Sequence, residues 1–137
     1  MNDEVKKEID DSGVMTIILN RPKSLNSLNY GLVTGVIEAF DEAASNKKVR
    51  SVILTGEGRG FCSGADLSGG GWPTKPEWTS GEISANNMEF FLNPMIKKIV
   101  ACPKPVINAI NGIAAGGGVG LASVSYTHLT LPTTYTV

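Results

Sequence analysis

Two short segments rich in glycine and alanine hold the residues of this chain whose spacing could do chemistry. Residues 60–67 (GFCSGADL) and residues 111–120 (NGIAAGGGVG) each follow a predicted β-strand. Small side chains leave the backbone N–H groups open to a ligand. Two such loops can each direct one N–H group at the same oxygen, which is how an oxyanion hole stabilises charge on a carbonyl oxygen. The two segments together predict an anion-stabilising site built from main-chain donors.

A structural role is the alternative interpretation, because glycine also serves turns and close helix–sheet packing. Each loop leads towards a predicted helix, and helix N-termini stabilise anions, which favours the binding interpretation. We expect Ser63 and Asp66 to cap and shape the first loop. Cys62 and Cys102 are expected to be structural, because a buried free cysteine behaves as a small hydrophobe.

Three other glycine-containing motifs do not fit these segments. The dinucleotide-binding pattern G-x-G-x-x-G, started at Gly116, would need a glycine where Leu121 stands. No Lys-Ser or Lys-Thr pair follows the glycines, which excludes a P-loop. The hydrolase pattern G-x-S-x-G would need its serine one position before Ser63, and a catalytic triad would depend on His128, the only histidine.

The elements that must position these loops alternate between strand and helix, which predicts an α/β fold. Asn29 fits the N-cap of a helix that runs to about Ser45, with Leu32, Val36, Phe40 and Ala43 on its apolar face. The other predicted elements, in chain order, are a strand over 14–19, a strand over 49–55, an exposed and mobile loop over 68–81, a helix over 82–101 and a strand over 106–110. The second helix is predicted to turn four residues inward, namely Met88, Phe91, Met95 and Ile99.

Composition narrows the function classes. A chain of 137 residues and 14.4 kDa is one small domain or part of a larger one. The apolar runs are only as long as strands, so we expect no membrane-spanning helix. A net charge of −1 does not indicate a basic surface that would bind nucleic acid. The charged N-terminal residues and two unpaired cysteines favour a cytoplasmic protein.

The last residues differ in character from the rest. Residues 123–137 carry no charge and are rich in threonine, and residues 126–137 (YTHLTLPTTYTV) resemble translated sequencing adapter. We therefore expect residues 1–122 to form the N-terminal part of the domain and residues 123–137 to be a non-native tail. A genuine polar tail or edge strand is the alternative.

Three motifs in this order resemble the enoyl-CoA hydratase/isomerase, or crotonase, superfamily. They are residues 19–28 (LNRPKSLNSL), residues 61–67 (FCSGADL) and residues 103–112 (PKPVINAING) with the small residues that follow. The resemblance runs from about Val14 to Ala122. It implies a truncated spiral of ββα units and an acyl-CoA thioester as substrate.

The resemblance also implies roles for single residues. It assigns the catalytic oxyanion hole to the backbone N–H groups of Ala65 and Gly117. The residues that it places along the substrate are Lys23, Leu25, Ala65, Asp66, Leu67, Ser68 and Gly117. It implies no metal and no separate cofactor, because coenzyme A is part of the substrate. Family members are commonly trimers or paired trimers, so we expect the full-length form to be a homotrimer or hexamer.

Gly120 departs from the hydratase pattern of this family, which has a catalytic glutamate three residues after the second hole residue. Glycine cannot orient water or carry a proton. We therefore expect a poorly active fragment of an isomerase, and residues 93–96 (NPMI) also resemble ring-opening isomerases of the phenylacetyl-CoA pathway. A hydratase with only a downstream carboxylate, and an inactive truncated acyl-CoA-binding fragment, are the alternatives. An acidic residue beyond Ala122 in the full reading frame would favour the isomerase.

Overall fold

The computed structural model describes residues 3–125, whose elements follow one another as three ββα units. The first unit consists of β1 (Val5–Ile9), β2 (Val14–Leu19) and α1 (Tyr30–Ser45). The second consists of β3 (Ser51–Gly56), β4 (Gly60–Cys62), α2 (Ser80–Asn87), a π-helical turn (Met88–Leu92) and α3 (Asn93–Val100). The third consists of β5 (Val106–Ala109), β6 (Ile113–Ala114) and α4 (Gly117–Ser123). The expected α/β arrangement of ββα units is confirmed.

The strands form two sheets. The larger has the order β1-β2-β3-β5, with β1 antiparallel to β2 and the other neighbours parallel. The smaller sheet pairs β4 with β6 in parallel. Since β4 and β6 lie within the two glycine-rich segments, the prediction of two plain loops was incomplete. Pairing of these two short strands brings the segments side by side.

The core lies between the larger sheet and α1. Every second residue of β2 is completely buried, at Met15, Ile17 and Leu19. The predicted cap is confirmed, because the Asn29 side chain accepts a hydrogen bond of 2.8 Å from the Leu32 N–H. All four residues predicted for the apolar face of α1 are buried, namely Leu32, Val36, Phe40 and Ala43.

The sequence analysis did not predict β1. Its sequence, VKKEI, is mostly charged, and only Val5 is buried. The strand pairs along its whole length with β2, from Val5 opposite Leu19 to Ile9 opposite Met15. Charged side chains are typical of a strand at a sheet edge, where they discourage pairing with other chains. This edge position explains why β1 lacks the apolar alternation of a half-buried strand.

The predicted long helix is present but is divided by the π-helical turn. It begins at Ser80, where Thr79 and Glu82 form a capping box. Met95 and Ile99 are buried as predicted, whereas the placement of Met88 on the inner face was wrong, because 50% of this residue is exposed. A π turn bonds residue i to residue i+5 and so changes the register of the helix faces. The α-helical spacing on which the predicted inner face was based therefore does not hold across the π-helical turn.

The loop before α2 is not wholly exposed. Trp72 is half-buried and packs against Phe91, with ring centroids 5.6 Å apart, and against Tyr30 at 6.2 Å. Within residues 3–125, no helix has the length and apolar character that a membrane span requires. The helix α4 continues to Ser123, and residues 126–137 of the expected tail lie outside the described residues.

Candidate functional site

The first glycine-rich segment is attached to the main core through a bridge with Leu28. The Leu28 N–H donates to the Gly64 carbonyl at 2.7 Å, and the Asp66 N–H donates to the Leu28 carbonyl at 3.1 Å. In this parallel pattern the N–H group of the intervening Ala65 is not used. It has no hydrogen-bond partner among residues 3–125. The bridge therefore fixes the position of the Ala65 N–H group without using it as a hydrogen-bond donor.

Polar side chains hold the same segment in place. The Ser63 hydroxyl donates to the Ser24 carbonyl at 3.0 Å, and its N–H donates to the Leu25 carbonyl at 3.0 Å. The Asp66 carboxylate accepts hydrogen bonds from the Ser68 hydroxyl and N–H and forms an ion pair of 2.9 Å with Arg21. The Ser68 hydrogen bonds, followed by the Arg21 contact, lower the pKa of Asp66. Both side chains shape the loop, as the sequence predicts.

Asn26 is a supporting residue to which the sequence analysis gave no role. It is completely buried and has a φ angle of 56°, a left-handed conformation that asparagine tolerates better than most residues. Its side-chain oxygen accepts from the Arg21 N–H at 2.7 Å, and its amide nitrogen donates to the carbonyls of Glu57 and Gly60. Asn26 therefore anchors the start of the first segment. Only the tertiary contacts reveal this role.

Two kinds of contact hold the second segment. At its start, the Asn111 side chain accepts a hydrogen bond from the Gly56 N–H and donates to the carbonyls of Gly58 and Gly60, and beyond Asn111 the backbones are in close contact. The Ala115 N–H donates to the Cys62 carbonyl at 3.0 Å. A Cβ atom added at Gly118 would lie 2.0 Å from the Cys62 carbonyl oxygen, and one at Gly112 would lie 2.0 Å from the Arg59 oxygen. These distances require glycine at both positions. The two segments are consequently in backbone-to-backbone contact.

The contact continues to the start of α4. Gly64 has a φ angle of 100°, and a Cβ atom added there would lie 3.5 Å from the Gly117 nitrogen. Gly117 is the first residue of α4, and its N–H has no acceptor within the described part of the chain. The free N–H groups of Ala65 and Gly117 thus belong to adjacent backbones.

Ala65 and Gly117 line the same cavity, which has a volume of about 540 Å³. Its wall is completed by Leu28, the loop residue Trp72 and one face of the helical segment. The lining residues from that helical segment and from α4 are Ser84, Asn87, Met88, Leu92, Met95, Ile96 and Gly120. A larger groove of about 790 Å³ lies over β1 and α1, but its lining includes neither glycine-rich segment. The smaller cavity is therefore the candidate site.

The other residues predicted to contact substrate do not line this cavity. Lys23 is exposed and lines a separate groove with Pro22 and Ser24. Leu25 packs beside Gly60. Leu67 is 97% exposed to solvent. The side chains of Asp66 and Ser68 are hydrogen-bonded to each other.

Gly120 does line the cavity. A Cβ atom added there would meet no other atom within 4 Å, so the space in front of this position is open. Among the described lining residues there is no aspartate, glutamate or histidine. Among the described residues, the cavity wall is therefore mainly apolar and carries no side chain that titrates near neutral pH.

Cys62 is an unsuitable nucleophile. It is completely buried, and this burial raises the pKa of its thiol. Its carbonyl oxygen serves the packing of the second segment, as described above. No group of three or more metal-binding side chains occurs within residues 3–125.

The chain matches the family model "Enoyl-CoA hydratase/isomerase" over residues 10–127. It is 42% identical over 113 residues to the 1,2-epoxyphenylacetyl-CoA isomerase of Escherichia coli (strain K12), which covers 82% of this chain and 42% of that protein. It is 33% identical over 129 residues to an enoyl-CoA hydratase of Alternaria alternata, covering 93% of this chain and 39% of the relative.

Solved structures that resemble this chain include the same two kinds of enzyme. The enoyl-CoA hydratase of Bacillus anthracis superposes with a TM-score of 0.76 at 29% identity, covering 90% of this chain and 45% of the other. A monofunctional enoyl-CoA isomerase from M. smegmatis gives a TM-score of 0.68 at 31% identity, covering 90% of this chain and 47% of the other. The chain spans less than half the length of each of these relatives. It belongs to the enoyl-CoA hydratase/isomerase family.

Proposed function

We propose that this chain forms the thioester-binding part of an acyl-CoA enzyme, in which the N–H groups of Ala65 and Gly117 hold the thioester oxygen as it gains negative charge. The observation that carries the proposal is that Ala65 and Gly117, whose N–H groups have no partner within residues 3–125, line one cavity. Two fixed donors need little reorganisation when an enolate forms, and removing one such donor from an enzyme costs roughly 100- to 1,000-fold in rate.

The isomerase branch is the preferred assignment. Gly120 supports it, since the wall of the cavity provides no carboxylate at the position where hydratases of the family have a glutamate. The relatives include both an isomerase and hydratases, so a hydratase with a carboxylate elsewhere is the second candidate. An inactive acyl-CoA-binding fragment is the third.

The remaining assignments are also proposals. Lys23 and Leu25 would approach the nucleotide part of coenzyme A, and residues 66–68 would lie along the path to the cavity mouth. Lys23, Leu67 and Ser68 are exposed outside the cavity, which is compatible with contact to the long carrier portion of the substrate, whereas Leu25 and Asp66 are partly buried. A homotrimer or hexamer and a cytoplasmic location are expected for the full-length protein, with no separate cofactor.

The oxyanion hole can be tested without a catalytic base by titrating 3-oxobutanoyl-CoA, whose enolate absorbs in the near ultraviolet. If the two N–H groups bind the thioester oxygen, the chain will lower the pKa of the bound ligand. Ala65→Pro deletes one donor and breaks no internal hydrogen bond, because the Leu28 bridge does not use the Ala65 N–H. We expect this variant to reduce the pKa shift by about one to two units, since a hydrogen bond to a charged group contributes about 1.5–3 kcal/mol.

Ala65→Ser is the matched control, because it changes the side chain and keeps the N–H group. Gly117→Pro provides a second test at the first helical position, where proline is commonly accommodated, with Gly117→Ala as its control. Circular dichroism should first show that the variants are folded. A folded Ala65→Pro variant with the full pKa shift of the wild type would overturn the assignment of Ala65.

A further inference from the structure

Arg21 joins three separate segments of the chain through its guanidinium group. Its Nη2 atom lies 2.9 Å from the Asp66 carboxylate, and its Nε atom lies 3.5 Å from that of Glu4. Its Nη1 atom donates to the carbonyl of Ser27 at 2.6 Å and to the hydroxyl of the same residue at 2.9 Å. A guanidinium holds its N–H donors in one rigid plane, so these contacts fix the positions of their partners relative to one another.

Two of these contacts flank the bridge that holds Ala65. Ser27 precedes Leu28 on one side of the bridge, and Asp66 follows Ala65 on the other. The bridge lies outside the named strands and is formed by the two backbone hydrogen bonds described above. The guanidinium contacts both sides of this short pairing, with Nη1 on one side and Nη2 on the other, and these two contacts form the Arg21 clamp.

Arg21 is more shielded from solvent than three lysines that form ion pairs, namely Lys6, Lys7 and Lys98. The side chains in the ion pairs of these lysines are between 39% and 53% exposed. The Arg21 side chain is 19% exposed and that of Asp66 is 10% exposed. Solvent screens exposed ion pairs, which therefore contribute little, and the pair of Arg21 and Asp66 is screened less.

Arg21 does not itself reach the candidate site. Among the described residues, it lines a separate groove with Lys23 and is not part of the wall of the cavity that Ala65 and Gly117 line. Any influence of Arg21 on the cavity must therefore pass through the residues that its guanidinium holds. Asp66 gives the most direct connection, because it is the neighbour of Ala65 in the sequence.

We propose that Arg21 is a positioning residue of the oxyanion hole, whose clamp on the Leu28 bridge keeps the Ala65 N–H aligned with the thioester oxygen. The inference rests on the proposed function, which places that oxygen at Ala65 and Gly117. Alignment matters most for the enolate, because a hydrogen bond to an ionised acceptor is about twice as strong as one to a neutral acceptor. Loss of the Arg21 clamp should therefore weaken binding of the enolate more than binding of an uncharged acyl group.

The test compares an enolate with a ligand whose acyl group stays uncharged. The first readout is the pKa shift of bound 3-oxobutanoyl-CoA, and the second is the dissociation constant of butanoyl-CoA from isothermal titration calorimetry. Arg21→Met removes the guanidinium and keeps an unbranched side chain. We expect it to reduce the pKa shift by about half a unit to one unit, which is about 3- to 10-fold in enolate binding. The affinity for butanoyl-CoA should change by less than about 2-fold, because a neutral acceptor depends less on the alignment of the donor.

Arg21→Lys separates the clamp from the positive charge. Lysine keeps a charge beside the groove of Lys23, but its single ammonium lacks the rigid fork that contacts Ser27 and Asp66 together. We expect this variant to lose most of the same pKa shift, and it carries the test if Arg21→Met does not fold. A full wild-type shift in folded Arg21→Lys would overturn the Arg21 clamp.

Two controls separate the stability of the chain from the position of the donor. Lys98→Met removes the cation of an exposed ion pair with Asp41. Val36→Ala weakens the buried face of α1, a helix that contributes no described residue to the cavity wall. Both folded variants should keep the wild-type pKa shift. An equal loss of the shift in Val36→Ala and in Arg21→Met would identify general loosening as the cause and overturn the inference.

A double variant shows whether Arg21 acts through Ala65. Two substitutions that affect the same donor do not add, whereas independent ones do. We therefore expect Arg21→Met to reduce the pKa shift in the wild type but not in Ala65→Pro. An equal reduction in both backgrounds, or a full shift in Arg21→Met, would overturn the role of Arg21 and leave the proposed function intact. If the wild-type chain does not lower the pKa of the ligand, both the proposed function and this inference are overturned.

Discussion

The two glycine-rich segments contribute one residue each, Ala65 and Gly117, to the wall of the same cavity, and they differ in how far polar side chains hold them. Polar side chains hold the first segment, through Asn26, Ser63 and Asp66. The second segment has one such anchor at its start, the Asn111 side chain. Beyond Asn111 it depends on the lack of side chains, because glycines at 112 and 118 let it come into backbone contact with the first segment and the turn before it. The first segment should therefore be sensitive to the removal of polar atoms, and the part of the second segment beyond Asn111 to the addition of carbon atoms.

The largest effect is expected at Asn26. Asn26→Ala removes its hydrogen bonds to the Arg21 N–H and to the carbonyls of Glu57 and Gly60. The Gly60 carbonyl keeps a second donor, the Asn111 amide at 3.2 Å. We expect a loss of about 3 kcal/mol in the free energy of unfolding, measured by urea denaturation. Asn46→Ala is the control, since that side chain makes one exposed, local hydrogen bond. Similar losses in the two variants would contradict the special role of Asn26.

Gly118→Ala tests the second segment by adding one carbon. The new Cβ atom would lie 2.0 Å from the Cys62 oxygen and 2.8 Å from the carbon of that carbonyl, so the backbone must shift. Overpacking of this kind typically costs about 1–3 kcal/mol, of which the better helix propensity of alanine recovers up to about 1 kcal/mol. We expect a net loss of about 2 kcal/mol in urea denaturation. Wild-type stability in this variant would show that the contact between the segments is looser than described.

The sequence could not predict the role of either position, in contrast to elements that follow local rules. The cap at Asn29 and the strand β2 follow local rules, and both predictions were confirmed. The close approach at Gly118 depends on a residue far away in the chain, so a glycine alone could not reveal it. The same holds for Asn26, whose partners span more than thirty residues of sequence.

The helical wall of the cavity was the harder part to predict. The sequence pattern required one continuous α-helix, and the π-helical turn after Asn87 broke that pattern and exposed Met88. Local propensities do not specify such a turn.

A smaller effect is expected for Asp66→Asn in the first segment. The variant weakens the hydrogen bonds from Ser68 and removes the ion pair with Arg21, for an expected loss of about 1 kcal/mol near neutral pH. Since these contacts lower the pKa of the folded carboxyl, their contribution is fully present above its ordinary value of 3.8. It is lost as the pH falls through the lower pKa of the folded state. Urea denaturation over a pH series should therefore show the two proteins converging in acid, and a constant difference would contradict this linkage.

Gly120→Ala should have the smallest effect, and its sign should be opposite to that of Gly118→Ala. Both residues lie in α4, but an added Cβ atom at Gly120 would meet no atom within 4 Å. Alanine in a helix is more favourable than glycine by about 0.5–1 kcal/mol, so we expect a small stabilisation in urea denaturation. If Gly120→Ala destabilises the chain as strongly as Gly118→Ala, the effect comes from α4 as a whole and not from its contact with Cys62. Opposite signs two residues apart would instead locate the requirement for glycine at the interface between the two segments.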